Sequence, residues 1–313
     1  LAAGCSCILK PAEETPLSTV RLGEILLEAG VPAGVFNLLL GDGPGVGHAL
    51  AAHPNVDKIS FTGSTRVGKS IVSAAQGNLK KVSLELGGKS PIIVFDDANI
   101  DEAIEGAAQA IFSNAGQVCV AGSRLYVQAS VYDRVVSGVA DIARKMRVGA
   151  STNSKHDMGP LISAKHLNNV SKMIDQGLAE GGVIIAGGKR LQQGGGFFME
   201  PTVFSNVDRN MSLVKEEIFG PVLVAMPFNN TEDVVSLAND SVSGLAASVW
   251  TQDISKAHKT AAAIRAGLLW VNCHGIPDMA VPFGGYKQSG WGRENGFEAL
   301  LQYTELKSVI VKL

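Results

Sequence analysis

The alternation of short apolar strands with helices over residues 1–90 is the feature that most constrains the fold. The segments "CSCILK", "VFNLLL", "VDKISF" and "KKVSLEL" have the length and composition of strands. Between the first two of them, Pro16 favours a helix start, and apolar residues up to Leu26 supply one helix face. This order is typical of a parallel sheet covered by helices. We therefore predict a doubly wound α/β fold, which binds its ligands at the carboxyl ends of the strands.

The same alternation restarts after the segment "GGKS". "PIIVF", "PVLVAMPF" and "AASVW" are predicted strands, and the apolar residues of 100–112 recur at helical spacing. We place a domain boundary near Gly87–Lys89, with one domain over residues 1–87 and a second over 88–303. Residues 304–313 are predicted to form a last strand that pairs across a subunit boundary, because an unpaired edge is a liability.

Composition excludes several classes of function. The 313 residues are 46% hydrophobic and 18% charged, and the formal net charge is −2. We expect no nucleic-acid partner from this charge, and no membrane span, since no apolar run is long enough. The four cysteines have no repeated CxxC spacing and are expected to be reduced thiols of a cytoplasmic protein. The six histidines form no ligand pair, so we expect no metal site.

The stretch "FTGSTRVGKS" at 61–70 matches the phosphate-binding loop of nucleotide triphosphatases. A predicted strand precedes it, and a predicted helix follows it. In "PIIVFDD", the apolar run that leads into Asp96 resembles the second motif of such enzymes. We nevertheless interpret the match as fortuitous. Lys69 is then expected to face solvent from the first turns of a helix, because a triphosphatase would leave the remaining motifs unexplained.

Two stretches contain candidate catalytic residues. Cys119 lies between glycines in "GQVCVAGSR", and glycines beside a thiol let a substrate approach closely. A buried structural cysteine is the alternative. Glu85 lies in the predicted strand of "VSLELGGKSP", where desolvation would raise its pKa as a general base requires. An ion pair with Lys89 is the alternative there.

Three further stretches suit a cofactor. "KEEIFGPVL" supplies Glu217 for sugar hydroxyls and Phe219 as an aromatic shelf, although a simple turn is the alternative. "ILKPAEETP" places Lys10 at a strand end and Glu13 before a helix, where a carboxylate can accept hydrogen bonds from ribose hydroxyls. "FTGSTRVG" offers Ser64 and a helix N-terminus to a pyrophosphate.

Taken together, "LELGGKSP", "GQVCVAGSR", "EEIFGPV" and "PFGGYKQSGWGRE" occur in the order and spacing of the NAD(P)-dependent aldehyde dehydrogenase superfamily, which the chain resembles from end to end. The resemblance implies a Rossmann-like NAD-binding domain, here partial, a catalytic domain and a small oligomerisation element. It implies Cys119 as the nucleophile and Glu85 as the general base. The cofactor residues it implies are Lys10, Glu13, Gly63, Ser64, Thr65, Gly68, Glu217 and Phe219.

The reaction implied by the resemblance is oxidation of an aldehyde to a carboxylic acid through a thiohemiacetal and a thioester on Cys119. Glu13 would repel a 2′-phosphate, so we expect NAD rather than NADP. The family also implies a homodimer or homotetramer. The segment "NCHGIPDMAVPFGG" would form part of the aldehyde pocket, and its one charged residue, Asp278, favours an apolar or aromatic aldehyde.

The first residues lack an initiator Met, and "CSCILK" is predicted to be a strand that has already begun. We therefore expect the chain to lack the first part of the cofactor domain, including the asparagine that completes the oxyanion hole in the family. Poor activity, with oligomerisation or aggregation, is expected of such a piece. An inactive aldehyde dehydrogenase fragment, without turnover, is the alternative function.

Overall fold

A computed structural model describes residues 1–192 and 194–313, and the chain in it divides into two compact units. The first unit comprises Leu1–Glu85, Asp278–Gly284 and Gly290–Leu313. The second unit comprises Leu86–Pro277 and Gly285–Ser289. The division after Glu85 falls two residues before the boundary region expected from the sequence.

The secondary structure alternates between strands and helices for most of the chain. The strands are β1 (Cys7–Leu9), β2 (Phe36–Leu38), β3 (Lys58–Gly63), β4 (Lys81–Leu86), β5 (Pro91–Val94), β6 (Arg124–Gln128), β7 (Val183–Ala186), β8 (Arg190–Leu191), β9 (Phe198–Met199), β10 (Thr202–Ser205), β11 (Val222–Phe228), β12 (Ser243–Gly244), β13 (Ala246–Trp250), β14 (Leu268–Val271), β15 (Tyr286–Lys287) and β16 (Gly290–Trp291). The helices are α1 (Leu17–Glu28), α2 (His48–Ala52), α3 (Thr65–Ala74), α4 (Ile100–Phe112), α5 (Tyr132–Lys145), α6 (Ala164–Ala179), α7 (Ser212–Lys215), α8 (Thr231–Asn239), α9 (Ile254–Ala263) and α10 (Gly296–Leu301).

The second unit is built on a sheet with the strand order β14-β13-β5-β6-β11-β10-β7. All its neighbouring strands run parallel except β7, which is antiparallel to β10. Ile92, Ile93 and Val94 are consecutive in β5 and fully buried, so both faces of this strand are covered. A strand covered on both faces reads as an unbroken apolar run, as "PIIV" does. The predicted α/β class with a parallel sheet is confirmed.

Helices cover this sheet because glycines allow close approach. A side chain on Gly138 of α5 would lie 2.6 Å from Ile104 Cδ1 of α4. Ala103, Ala107 and Ala108 of α4 are likewise small and buried. These positions let the two helices pack closely beside the sheet, and α4 leads into the Cys119 segment.

The first unit holds two smaller sheets rather than one. β1 and β2 form a parallel pair, and β16, β4 and β3 form a second sheet in that order. β16 runs antiparallel to β4, with Gly290 opposite Glu85. Residues 290–303, which the sequence interpretation placed in the catalytic domain, therefore pack with the first unit. The helix α1 begins at Leu17, with Pro16 as the preceding cap residue, one position later than expected.

The predicted strand over residues 304–313 is not formed in this single chain. Its apolar side chains, among them Leu306, Val309 and Ile310, are exposed. At the start of the segment, Lys81 Nζ donates to Thr304 O and pairs with Glu305, and the Thr304 N–H donates to Leu301 O. A strand needs a neighbouring strand to exchange backbone hydrogen bonds with, and none of the strands in the described residues pairs with this segment.

Among the helices of the described residues, none is both long and apolar enough to cross a membrane. In the same part of the chain, no three His, Cys, Asp or Glu side chains are grouped as metal ligands would be.

Candidate active site

Cys119 follows a tight reversal of the chain at the end of α4. Asn114, Ala115 and Gly116 have φ values of 51°, 54° and 71°, so three successive residues are in the left-handed region. Only glycine fits at position 116, because a side chain there would collide with the backbone at Gly220. The reversal places Cys119 in a half-buried position between α4 and β6. All four cysteines lie in the described part of the chain, and none is in a disulfide.

Gln117, which the sequence interpretation did not single out, holds this reversal in place. Its Oε1 accepts from the Ile162 N–H at 2.8 Å, and its Nε2 donates to the carbonyls of Asn114 at 3.1 Å and Pro160 at 3.3 Å. The Asn114 side chain in turn donates to Gln117 O at 3.0 Å. Asn114 therefore closes the turn with its amide. The sequence signal that could have identified Gln117 is its position, since it is a side-chain amide two residues before the candidate nucleophile.

The paired glycines of "LGGKS" bring two candidate segments together within the second unit. A side chain on Gly87 would collide with the Glu217 carboxylate, and one on Gly88 would lie 2.5 Å from Cys119 O. The Gly88 N–H donates to Glu217 Oε1 at 3.1 Å. The absence of side chains at 87 and 88 thus lets the Cys119 backbone and the Glu217 carboxylate approach the same turn.

Gly88→Ala is expected to destabilise the protein by about 1–3 kcal/mol, since the added methyl group meets backbone that cannot move away. The backbone it meets is that of Cys119, so turnover should fall as well. Thermal denaturation measures the first effect. Gly77→Ala is the matched control, because nothing lies within 4 Å of the added atom there. Equal melting temperatures for the two variants would contradict the close contact at Gly88.

Glu85 is buried in β4 with a strongly perturbed carboxyl group. The residue is 5% exposed, and neither carboxylate oxygen has a hydrogen-bond partner among the residues described. Burial, with a further contribution from Glu294, raises its pKa to about 8, while Arg293 acts in the opposite direction. Gly284 makes room for the group, since a side chain there would lie 2.9 Å from Glu85 Oε1.

This environment suits a general base, because a pKa near neutrality lets one group accept and release a proton. The alternative of an ion pair with Lys89 joins residues of different units and stays a prediction. Arg293 and Glu294 belong to the "GWGRE" part of a family motif, whose sequence alone predicts no role for them. Their effect on Glu85 arises through the pairing of β16 with β4.

Lys89 is itself a buried amine of the second unit. It is 2% exposed, and its Nζ has no hydrogen-bond partner in the described part of the chain. Burial, and then the charge of Arg124, lower its pKa to about 7, while Glu217 acts in the opposite direction. Lys89 therefore adds positive charge beside Glu217 only while it remains protonated.

Lys10 and Glu13 meet at the carboxyl end of β1. Lys10 Nζ lies 3.8 Å from Glu13 Oε1 and donates to Gly41 O at 2.9 Å. Glu13 is exposed, and its Oε1 accepts from the Gly43 N–H at 2.5 Å. Its own backbone N–H and that of Gly43 lower the pKa of Glu13. The carboxylate is thus ionised at neutral pH and held beside a glycine-rich turn.

The "FTGSTRVG" stretch forms the end of β3 and the start of α3. Gly63 is the last residue of β3, and Ser64 caps α3 by accepting from the Val67 N–H at 3.3 Å. Thr65 and Gly68 belong to the first turns of this helix. Lys69 is exposed within α3, as expected. A phosphate-binding loop would keep residues 64–67 outside the helix, but α3 already begins at Thr65, so the triphosphatase interpretation does not fit the structure.

Glu217 and Phe219 lie in the segment before β11. Glu217 is an exposed residue, yet desolvation of its carboxyl group raises the pKa of Glu217, while the Gly88 N–H and Lys89 act in the opposite direction. Phe219 has φ 55° and a 40% exposed side chain. Its carbonyl lies 2.7 Å from His166 Nε2. An exposed aromatic ring on a strained backbone is a candidate shelf for a planar ligand.

The structure thus brings Lys10 and Glu13 together in the first unit, and Cys119 and Glu217 together around the glycine turn in the second. Cys119 and Glu85 belong to different units, and their convergence on one substrate carbon stays a prediction.

Comparisons with known proteins agree on one family. The sequence model of the aldehyde dehydrogenase family matches residues 1–309. Phenylacetaldehyde dehydrogenase of Pseudomonas fluorescens is 49% identical over 312 residues, which are 99% of this chain and 62% of that protein. Retinal dehydrogenase 2 of Homo sapiens is 48% identical and aligns with 100% of this chain and 60% of its own length.

A crystal structure of betaine aldehyde dehydrogenase from Staphylococcus aureus, in complex with NAD+, superposes with a TM-score of 0.94 at 43% identity. The match covers 96% of this chain and 60% of that one. The chain therefore spans about three-fifths of the length of these relatives.

Proposed function

Because the chain belongs to the aldehyde dehydrogenase family, we propose that it takes part in the NAD-dependent oxidation of an aldehyde to a carboxylic acid, with Cys119 as the nucleophile and Glu85 as the general base. The observation that carries the proposal is the meeting of the Cys119 backbone and Glu217 at Gly87–Gly88. A reaction that removes hydride from a carbon bound to the nucleophile needs the cofactor-binding groups at that place.

The residues present fit NAD. Glu13 is an exposed, ionised acceptor for the adenine ribose hydroxyls, and Lys10 lies beside it. The N-terminus of α3, capped by Ser64, suits a pyrophosphate. Gly63 ends β3 just before it, and Thr65 and Gly68 lie in its first turns. Glu217 and Phe219 would hold the nicotinamide ribose and ring. NAD, when bound, supplies the acceptor for the hydride that leaves the substrate carbon.

Cys119 starts the proposed reaction. Its thiolate adds to the aldehyde carbon, so that a C–S bond forms and the carbonyl oxygen becomes an alkoxide. The backbone N–H of Cys119 is a candidate donor to that oxygen. After oxidation the carbon is a thioester of Cys119. Glu85 takes a proton from water, the water oxygen bonds to the acyl carbon, and the C–S bond breaks to release the acid and the thiol.

The test of this proposal is turnover of a panel of aldehydes with NAD, followed by NADH absorbance and by identification of the acid. We propose an apolar or aromatic aldehyde, because Asp278 is the one charged residue of the segment 272–285. Phenylacetaldehyde and retinal should therefore give a higher kcat/KM than betaine aldehyde. No acid from any member of the panel would overturn the proposed activity and favour an inactive fragment.

Glu13→Ser is expected to raise kcat/KM for NADP, shifting the NAD/NADP ratio by about tenfold or more, because the serine no longer repels a 2′-phosphate. Steady-state kinetics with both cofactors measure the ratio. Glu14→Ser is the matched control, an exposed carboxylate one residue away. An unchanged ratio in Glu13→Ser would show that this residue does not contact the adenine ribose.

We further propose that the protein is a cytoplasmic homodimer or homotetramer. The exposed apolar side chains of Leu306, Val309 and Ile310 support this assembly, since a second copy could supply their strand partner. Light scattering of the chain with and without residues 304–313 tests it. A monomer in both cases would refute the oligomeric state.

A further inference from the structure

His274 follows β14 in the second unit and contacts the segment of the candidate nucleophile. Its ring packs against Trp270, with 4.8 Å between the ring centroids and a tilt of 41°. Trp270 Nε1 donates to Ile276 O at 3.0 Å, which closes the loop around the histidine. The ring is half-buried and held from one side by this loop.

Both ring nitrogens of His274 have partners. Nε2 lies 2.8 Å from Val120 O, and Nδ1 lies 3.0 Å from Ser248 Oγ. A carbonyl oxygen can only accept, so Nε2 carries a proton. Burial lowers the pKa of His274, which favours the neutral ring at neutral pH. Nδ1 then accepts from the hydroxyl of Ser248, a fully buried residue of β13.

A hydrogen bond to the Val120 carbonyl restrains the backbone next to Cys119, because the two residues are adjacent. Other contacts hold the segment on either side: Ala121 N–H donates to Val118 O at 3.0 Å, and Gly122 N–H donates to Ala110 O at 3.1 Å. The bond from His274 joins this segment to the sheet through Ser248. It limits rotation of the backbone on the carboxyl side of Cys119.

We propose that His274 is a positioning residue for Cys119, whose Nε2–H fixes the Val120 carbonyl and thereby the backbone that aims the Cys119 sulfur and N–H. The proposal rests on the proposed function, in which Cys119 is the nucleophile. His274 itself does not touch the reacting atoms in this role.

Three substitutions at His274 separate its hydrogen bonds from its packing. His274→Phe keeps a planar ring against Trp270 and removes both bonds. His274→Gln places an amide nitrogen near the position of Nε2, whereas His274→Asn places one near Nδ1. The first two therefore differ in the bond to Val120, and Asn keeps only a partner for Ser248. His258→Phe, at an exposed histidine of α9, is the matched control.

Three measurements are made on the full chain. They are kcat and KM for the best aldehyde, the hydrogen-exchange rates of the amides of 117–123, and the rate of Cys119 alkylation by iodoacetamide, followed by mass spectrometry with Cys5 as the internal reference. We expect the Phe and Asn variants to lose about fivefold in kcat at unchanged KM, as loss of one hydrogen bond suggests. Exchange and alkylation should both become faster by a similar factor, because the released segment exposes the half-buried thiol.

The Gln variant and His258→Phe should stay within about twofold of the wild type in all three measurements. Wild-type exchange rates in His274→Phe would show that the bond to Val120 does not hold the segment. A Gln variant as impaired as Phe would overturn the role of that bond, because Gln restores it. Faster exchange with unchanged kcat and alkylation would refute the positioning role. If the wild-type chain oxidises no aldehyde, the proposed function fails separately, and exchange and alkylation still decide whether His274 holds Cys119.

Discussion

Cys119→Ala is expected to lower the rate of aldehyde oxidation by at least about 10⁴-fold, as loss of a covalent nucleophile does in other enzymes. The Kd for NAD should stay unchanged, because the cofactor contacts proposed for Glu217 and for Lys10 with Glu13 do not involve the sulfur. Progress curves with phenylacetaldehyde give the rate, and isothermal titration calorimetry with NAD gives the affinity.

Cys5→Ala is the matched control for this substitution. Cys5 is exposed in the first unit, where its thiol lies 3.6 Å from Tyr303 O. Its removal should leave turnover within about twofold of the wild type. Turnover retained by Cys119→Ala would exclude Cys119 as the nucleophile. Loss of NAD binding together with turnover would instead indicate a damaged fold.

Glu85→Gln is the second substitution with a large expected effect. An amide cannot take a proton from water, so hydrolysis of the thioester should slow by about 10²–10⁴-fold and become rate-limiting. Rapid-quench measurements should then show one equivalent of NADH formed in a burst, followed by slow turnover. A variant without a burst and with a slow first turnover would place Glu85 before the thioester rather than after it.

The pH dependence of the wild type should report the same group. The pKa of Glu85 is raised to about 8, so the fraction in the basic form grows as the pH rises through that value. Turnover limited by thioester hydrolysis should therefore increase between about pH 7 and 9, and the Glu85→Gln variant should lose this increase.

Stability should change in the opposite direction with pH. A carboxyl group whose pKa is higher in the folded protein than in the unfolded chain contributes stability that is complete below the unfolded pKa. That contribution is lost as the pH rises towards about 8, where folded Glu85 ionises. The melting temperature of the wild type should thus fall over this window more than that of Glu85→Gln. Parallel curves would show that Glu85 is not buried as described.

Much of the fold was predictable from local patterns. Strands such as "PIIV" and "PVLVAMPF" are apolar throughout because both of their faces are covered, and this signal needs no knowledge of distant residues. The same holds for α4, whose apolar face recurs at helical spacing. The start of α1 was misplaced by one residue because Pro16 can precede a helix as well as begin it.

Contacts between distant segments were not predictable in the same way. The pairing of Gly290 with Glu85 joins residues far apart along the chain, so neither the membership of 290–303 in the first unit nor the effect of Glu294 on Glu85 follows from local sequence. Gly87 and Gly88 are recognisable in the sequence as part of the motif "LELGGKSP". Only the structure identifies Glu217 and Cys119 as the groups they accommodate. The bond from His274 to Val120 is another contact of this kind.

The left-handed residues 114–116 have a consequence for the thermodynamics of the reaction. Non-glycine residues in that region, such as Ala115 with φ 54°, cost about 1–2 kcal/mol each, which the surrounding fold must outweigh. The thiol is therefore given its direction when the chain folds, and its ordering entropy is not lost again in each catalytic cycle. The activation entropy of the acylation step, obtained from the temperature dependence of its rate, should therefore be near zero.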